Sequence, residues 1–165
     1  MYKLKQGDAM LKMSKMADYG TFILTTMVHA PEQVQSAAGI AALIRVPVPT
    51  VSKILKILTR EGLVLSLRGA RGGYLLSRQP SQISISQIIQ AMDGPIGMTE
   101  CSITPGLCTQ ESDCPVRANW QRVNRIVLQA LDQVSLEQMI QPVPETVDIS
   151  ALRRPALPAM ASIEQ

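Results

Sequence analysis

Two prolines, Pro47 and Pro49, interrupt an otherwise helical stretch between Ser36 and Glu61. This break constrains the fold more than any other feature. A proline in a helix interior removes a hydrogen bond and clashes with the preceding turn, but it fits the first turn of a new helix. Before the break, Ser36 is placed to cap a short helix through Ala37, Ile40, Ala41 and Ile44. After it, a helix is expected from about Thr50 to Glu61. Val51, Ile54, Leu55 and Leu58 form its buried stripe at i, i+3, i+4 and i+7, and Gly62 is its stop. Upstream, Met16, Tyr19, Ile23, Met27 and Ala30 recur at helical spacing between Leu11 and His29, and Pro31 ends that run. Helix, short helix, tight turn, helix is the helix-turn-helix pattern.

The period changes after Gly62. Leu63 to Leu67 and Tyr74 to Leu76 are β-rich, and Arg68-Gly-Ala-Arg-Gly-Gly73 between them supplies the conformational freedom of a hairpin loop. A β-hairpin wing therefore follows the helix-turn-helix, and Pro80 closes the unit. Ser84 caps a further helix through Ile85, Ile88, Ile89 and Met92, ended by Asp93-Gly94-Pro95. Residues 96–115 have no period and hold all three cysteines, and so long a loop in a small protein needs a function or a staple. From Pro115 a long helix carries a seam of Trp120, Val123, Val127, Ala130, Leu131 and Val134, which is the expected dimer interface. Ser135 caps a last short helix through Leu136, Met139 and Ile140. The expected fold is mainly α with a small β-hairpin wing. It divides into an N-terminal extension (1–9), a winged helix-turn-helix domain (10–80), a cysteine loop with a dimerisation helix (81–141) and a disordered, proline-rich tail (142–165).

Composition narrows the function. Aromatic residues make up only 3% of a chain that is 46% apolar. The core must be aliphatic, and a base-stacking single-strand binder is disfavoured. The net charge of +3 hides an asymmetry: residues 1–80 carry 11 Lys or Arg against 4 Asp or Glu, while residues 81–165 carry 5 against 9. A basic front half suits a polyanion. No run approaches the ~18 apolar residues of a membrane span, and the start lacks a hydrophobic leader, so a cytoplasmic protein with reduced thiols is expected. One histidine, no acid pair and no nucleophile motif argue against an enzyme, and no small-molecule substrate is expected.

The helix after the prolines presents Thr50, Ser52, Lys53, Lys56, Thr59 and Arg60 on its polar face, with no acid among them. Thr50 and Ser52, small hydrogen-bonding groups in its first turn, suit base edges in a major groove, Lys56 and Arg60 suit phosphates, and Pro49 and Lys53 complete the expected DNA-binding set. Arg68 and Arg71 on the slim hairpin loop suit a minor groove or phosphate clamp. The glycines are not a phosphate-cradling P-loop, because no Gly-Lys-Ser/Thr and no helix follow them. The partner is therefore a double-stranded DNA operator. Cys101, Cys108 and Cys114 are spaced C-x6-C-x5-C. Clustered in a polar loop, they suit an iron–sulfur cluster or a metal, or else a thiol redox switch. A zinc knuckle would have a closer C-x2-C pair.

These residues resemble the IscR- and NsrR-type (Rrf) family of winged-helix transcription regulators. The likeness covers about residues 10–141. It rests on Leu11-Lys-Met-Ser-Lys-Met-Ala-Asp-Tyr19, on Glu61-Gly-Leu-Val and Arg68-Gly-Ala-Arg-Gly-Gly-Tyr-Leu-Leu76, and on Thr99-Glu-Cys101 with Cys108 and Cys114. Pro49-Thr-Val-Ser-Lys-Ile-Leu-Lys56 and Asn119-Trp-Gln-Arg-Val-Asn124 look most like the branch that regulates SUF iron–sulfur assembly genes. The resemblance implies a homodimeric repressor whose operator binding is controlled by a [2Fe–2S] cluster on Cys101, Cys108 and Cys114. IscR-like members place a histidine three residues after the last cysteine, where this chain has Arg117. NsrR-like members take an aspartate from the first helix of the other subunit, and the matching residue here is Asp18. Glu100, Glu111 and Asp113 are nearby substitutes.

Overall fold

The computed structural model describes residues 13–69, 71–106 and 108–142. The expected N-terminal extension and nearly all of the expected disordered tail lie outside them. Helix α1 spans Lys15–Val28, and the Ser14 side chain caps it by accepting the Ala17 N–H. Helix α2 spans Ala37–Ile44 and is capped as expected by Ser36, which accepts the Gly39 N–H. Arg45 ends it in the left-handed region at φ 55°.

Helix α3 spans Val48–Arg60, two residues earlier than expected at its start. Pro47 occupies the N-cap and Pro49 lies in the first turn, where no intrahelical N–H partner is needed. The axes of α2 and α3 are bent by 118° at this break, an angle typical of a helix-turn-helix. Val51, Ile54, Leu55 and Leu58 are fully buried, and α3 packs on α1, α2 and α4. It ends in a Schellman motif: Leu63 N–H donates to the Leu58 carbonyl (2.9 Å) and Gly62 N–H to that of Thr59 (3.1 Å), with Gly62 at φ 72°.

The wing consists of β1 (Val64–Leu67) and β2 (Gly73–Leu76), antiparallel with Val64 opposite Leu76 and Leu67 opposite Gly73. Gly72 closes the loop by donating to the Gly69 carbonyl at 2.9 Å. A Cβ at Gly72 would lie 2.4 Å from the Leu67 carbonyl oxygen, so this turn excludes every other residue. Gln35 and Tyr74 exchange backbone hydrogen bonds at 2.8 Å each, fastening the wing to the segment before α2.

A 3-10 turn (Pro80–Gln82) leads to α4 (Ile85–Asp93), which Ser84 and Gln87 open with a reciprocal capping box. The cysteine segment is not wholly irregular, contrary to the expectation of a loop without period. A short helix, α5 (Glu100–Ile103), carries Cys101. One turn gives too little periodicity to read from sequence. Helix α6 spans Arg117–Gln133 and packs on α4 and α5.

The chain then returns to the core. Ile85 N–H donates to the Val134 carbonyl (2.9 Å) and Leu136 N–H to that of Ile83 (2.7 Å). This bridge seats α7 (Leu136–Met139), capped by Ser135, against α1. Leu136 is fully buried in the same aliphatic cluster as Ile23, Leu24, Ile54, Leu58 and Ile88. Leu136→Ala should therefore destabilise the protein by about 3 kcal/mol. Urea unfolding at equilibrium checks this, and a loss below about 1 kcal/mol would mean that α7 is not part of the cooperative core.

Candidate nucleic-acid interface and cysteine segment

Burial of one side of α3 turns the other side to solvent. Pro49, Lys53, Lys56 and Arg60 are exposed, and Thr50 and Ser52 are half-buried. Thr59 contributes little to that face, because its hydroxyl donates to the Leu55 carbonyl at 2.7 Å. Arg60 Nε contacts the Glu61 carboxylate at 2.8 Å, with both side chains largely exposed. An exposed pair of this kind is worth at most about 1 kcal/mol, so phosphate can displace Glu61. Arg68 and Arg71 are exposed at the tip of the wing, directly after α3 in the chain. Leu65 and Leu67, both nearly half exposed, line the outer face of β1. Sequence alternation marks them as neighbours on one face, but not as solvent-facing.

The three cysteines are half-buried and free. Cys101 lies in α5, with its sulfur 3.3 Å from the Thr99 hydroxyl. Between Cys108 and Cys114, Glu111 accepts the Gly106 N–H and pairs with the Arg117 guanidinium. Arg117 Nε is buried, and no hydrogen-bond partner for it lies among the described residues. The position that would bear a histidine in IscR-like proteins therefore belongs to an arginine tied into the loop. Asp18 is exposed on α1. Soft thiolates on one segment match the donor chemistry of an iron–sulfur cluster, and the residues fit that group in kind. Among the described residues of the chain, however, no three His, Cys, Asp or Glu side chains converge as a metal-binding set. Three ligands are present by type, and the convergence is not.

Helix α6 shows two faces. Asn124 is its one fully buried residue among those described, while Leu131 packs against the core of its own chain. Trp120 and Val123 are each 40% exposed, Val134 is exposed, and Val127 is half-buried. Val116 and Ile126 extend this uncovered apolar surface at 47% and 46% exposure. The seam expected from sequence did not include Ile126, which flanks it about 80° off the stripe centred on Val116 and Val134. No single described helix is long and apolar enough to cross a membrane.

The family model described as "Rrf2: Iron-dependent Transcriptional regulator" matches residues 13–142. The chain is 28% identical over 121 residues to the HTH-type transcriptional regulator IscR of Xenorhabdus nematophila, covering 73% of each protein. Its fold is similar to that of CymR, the global cysteine regulator of B. subtilis, with a TM-score of 0.62 and 30% identity over 78% of this chain and 95% of that one. It is also similar to IscR of T. potens, with a TM-score of 0.59 and 26% identity over 79% and 86% of the two chains. With its winged helix-turn-helix and this match over most of its length, the chain belongs to the Rrf2 family of transcriptional regulators.

Proposed function

We propose that the protein is a cytoplasmic repressor that binds a two-fold DNA operator as a homodimer and uses its cysteine segment as the sensor. One observation carries the DNA half: a recognition helix with no acid on its outward face lies next to a hairpin tipped by two exposed arginines. In this assignment Pro49, Thr50, Ser52 and Lys53 meet base edges, Lys56 and Arg60 meet phosphates, and Arg68 and Arg71 enter the adjacent minor groove. Trp120, Val123, Val127 and Val134 form the subunit seam; Leu131, expected in it from sequence, packs into the core of its own chain instead. The uncovered apolar surface of α6 supports this, since such surface is normally covered by a partner. A C2 dimer presents its two recognition helices to half-sites about one DNA turn apart.

Cys101, Cys108 and Cys114 would hold a [2Fe–2S] cluster, with Asp18 of the other subunit as the fourth ligand. The exposure of Asp18 on α1 supports this, since an exposed carboxylate is open to a second subunit. When bound, the cluster supplies an oxidation-sensitive cross-link that gathers the three thiolates. The segment's closure around Glu111 and Arg117 sets how the loop meets α6, and through α6 the spacing of the two recognition helices. The expected targets are iron–sulfur assembly (SUF) genes. The alternative for the same cysteines is a thiol redox switch or zinc site. The three thiols are free, which favours the switch, and a structural neighbour is a global cysteine regulator; a zinc site would need the same gathering of ligands as the cluster.

Lys56→Ala should weaken binding to all duplex sequences alike and lower the slope of log affinity against log salt by about one. A salt titration that leaves the slope unchanged removes Lys56 from the interface. Anaerobic reconstitution should yield about two irons and two sulfides per chain with visible absorption bands, lost in Cys108→Ala. Asp18→Ala should lose the bands as well, and intact spectra in that variant would exclude Asp18 as a ligand. A wild type that stays colourless after anaerobic reconstitution would exclude the cluster and leave a winged-helix DNA binder whose cysteines serve another function.

A further inference from the structure

Asn124 is a polar residue buried in the middle of an amphipathic helix, only 5% exposed. Its amide is spent on the backbone of another segment. Asn124 Oδ1 accepts the Met98 N–H at 3.1 Å, and Nδ2 donates to the Ile96 carbonyl at 3.5 Å. The residue between those two contacts is Gly97. A Cβ there would lie 2.1 Å from Ile103 Cγ1 and 3.2 Å from the Ile103 N, so α5 rests directly on the strip that Asn124 grips. Cys101 is two residues before Ile103 in the same turn of helix. The entry of the cysteine segment is thus fixed to α6 in a definite register, through Asn124 to residues 96–98 and through Gly97 to α5.

The exit is fixed to the same side of the same helix. Arg117 precedes Asn124 by seven residues, two turns of α6, and so shares its face. Its guanidinium pairs with Glu111, which also accepts the Gly106 N–H. The two grips differ in kind. Arg117–Glu111 is an ion pair with a half-exposed arginine, which water can compete for. Asn124 is sealed from water, and an amide of this type makes two directional bonds to backbone that cannot move independently. Trp120, one turn before Asn124, and Val123, its chain neighbour, lie on the uncovered apolar surface.

We propose that Asn124 is the positioning residue that couples the cysteine segment to the seam of α6, with Gly97 as the close contact through which α5 registers on it. The proposal rests on the cysteine segment being the sensor, and it does not depend on which chemistry engages the thiols. Rearrangement around Cys101 is passed through Gly97 and Asn124 into α6, and substitution of Asn124 disconnects the two.

The test uses the full-length dimer and iodoacetamide as the probe, with adducts on Cys101, Cys108 and Cys114 counted by mass spectrometry. Trp120 is the single tryptophan, so its emission reports on the seam. Alkylation should shift the emission maximum of the wild type. The shift should be lost in Asn124→Leu, which keeps the side chain's volume and neither hydrogen bond, while its far-UV circular dichroism stays that of the wild type. A purely structural role would change that spectrum as well. Gly97→Ala, whose methyl group would push Ile103 of α5 off this strip, should lose the shift too, and stands as an independent variant if Asn124→Leu does not fold. A full shift in Asn124→Leu or Gly97→Ala, or none in the wild type, overturns the proposal. Iron and sulfide content measured on the same proteins tests the sensor chemistry separately, because a colourless wild type would count against the cluster and leave the alkylation result standing.

Discussion

The fold depends on the burial of one stripe on α3. Val51, Ile54, Leu55 and Leu58 have no solvent exposure, and at roughly 25 cal/mol per Å2 such burial is the main favourable term available to an aliphatic core. Sinking that stripe against α1, α2 and α4 leaves only the opposite face of α3 to meet a ligand. The break at Pro47 and the Schellman turn at Gly62 fix where this helix begins and ends. The direct continuation from Leu63 into β1 then places the wing arginines beside it. The basic outward face is in this sense a consequence of core packing: Lys53, Lys56 and Arg60 are exposed because Val51, Ile54, Leu55 and Leu58 are buried.

Helix α6 solves a different problem. It must attach the cysteine segment and still offer apolar surface. Leu131 and Asn124 face the chain's own core, whereas Trp120, Val123 and Ile126 remain largely uncovered. The backbone bridge between Ser84 and Ser135 returns the chain to the domain after α6. Helix α6 is therefore held to the rest of the chain by its packing on α4 and, beyond its finish, by the seating of α7 on α1. A helix held this way transmits a shift as a unit, because its packed contacts resist continuous deformation.

Much of this organisation was legible in the sequence because it is local. Ser36, Ser84 and Ser135 cap helices as their positions predict, since a cap needs only a side-chain oxygen and an N–H two or three residues on. The apolar stripes, the proline break and the glycine hairpin are likewise rules of short range, and with three spaced cysteines they were enough to resemble the family to which the chain belongs. The misses have physical causes. Helix α5 is too short for its period to register. Thr59, counted on the polar face, turns its hydroxyl to its own helix backbone. Asn124 looks like any surface asparagine in sequence, because its burial depends on residues 96–98, more than twenty-five positions away.

The sequence by itself determined the winged helix-turn-helix, the basic outward face of α3 and the three thiols gathered on one segment, because helical period, turn chemistry and charge are written in neighbouring residues. Only the tertiary structure decided how that segment is held: Arg117 paired with Glu111, Gly97 pressed beneath Ile103, and Asn124 sealed against the backbone of 96–98. The last of these contacts joins residues more than twenty-five positions apart, and the first two close a segment with no period to read. Their existence rests on which surfaces water is excluded from, and that is a property of the packed molecule.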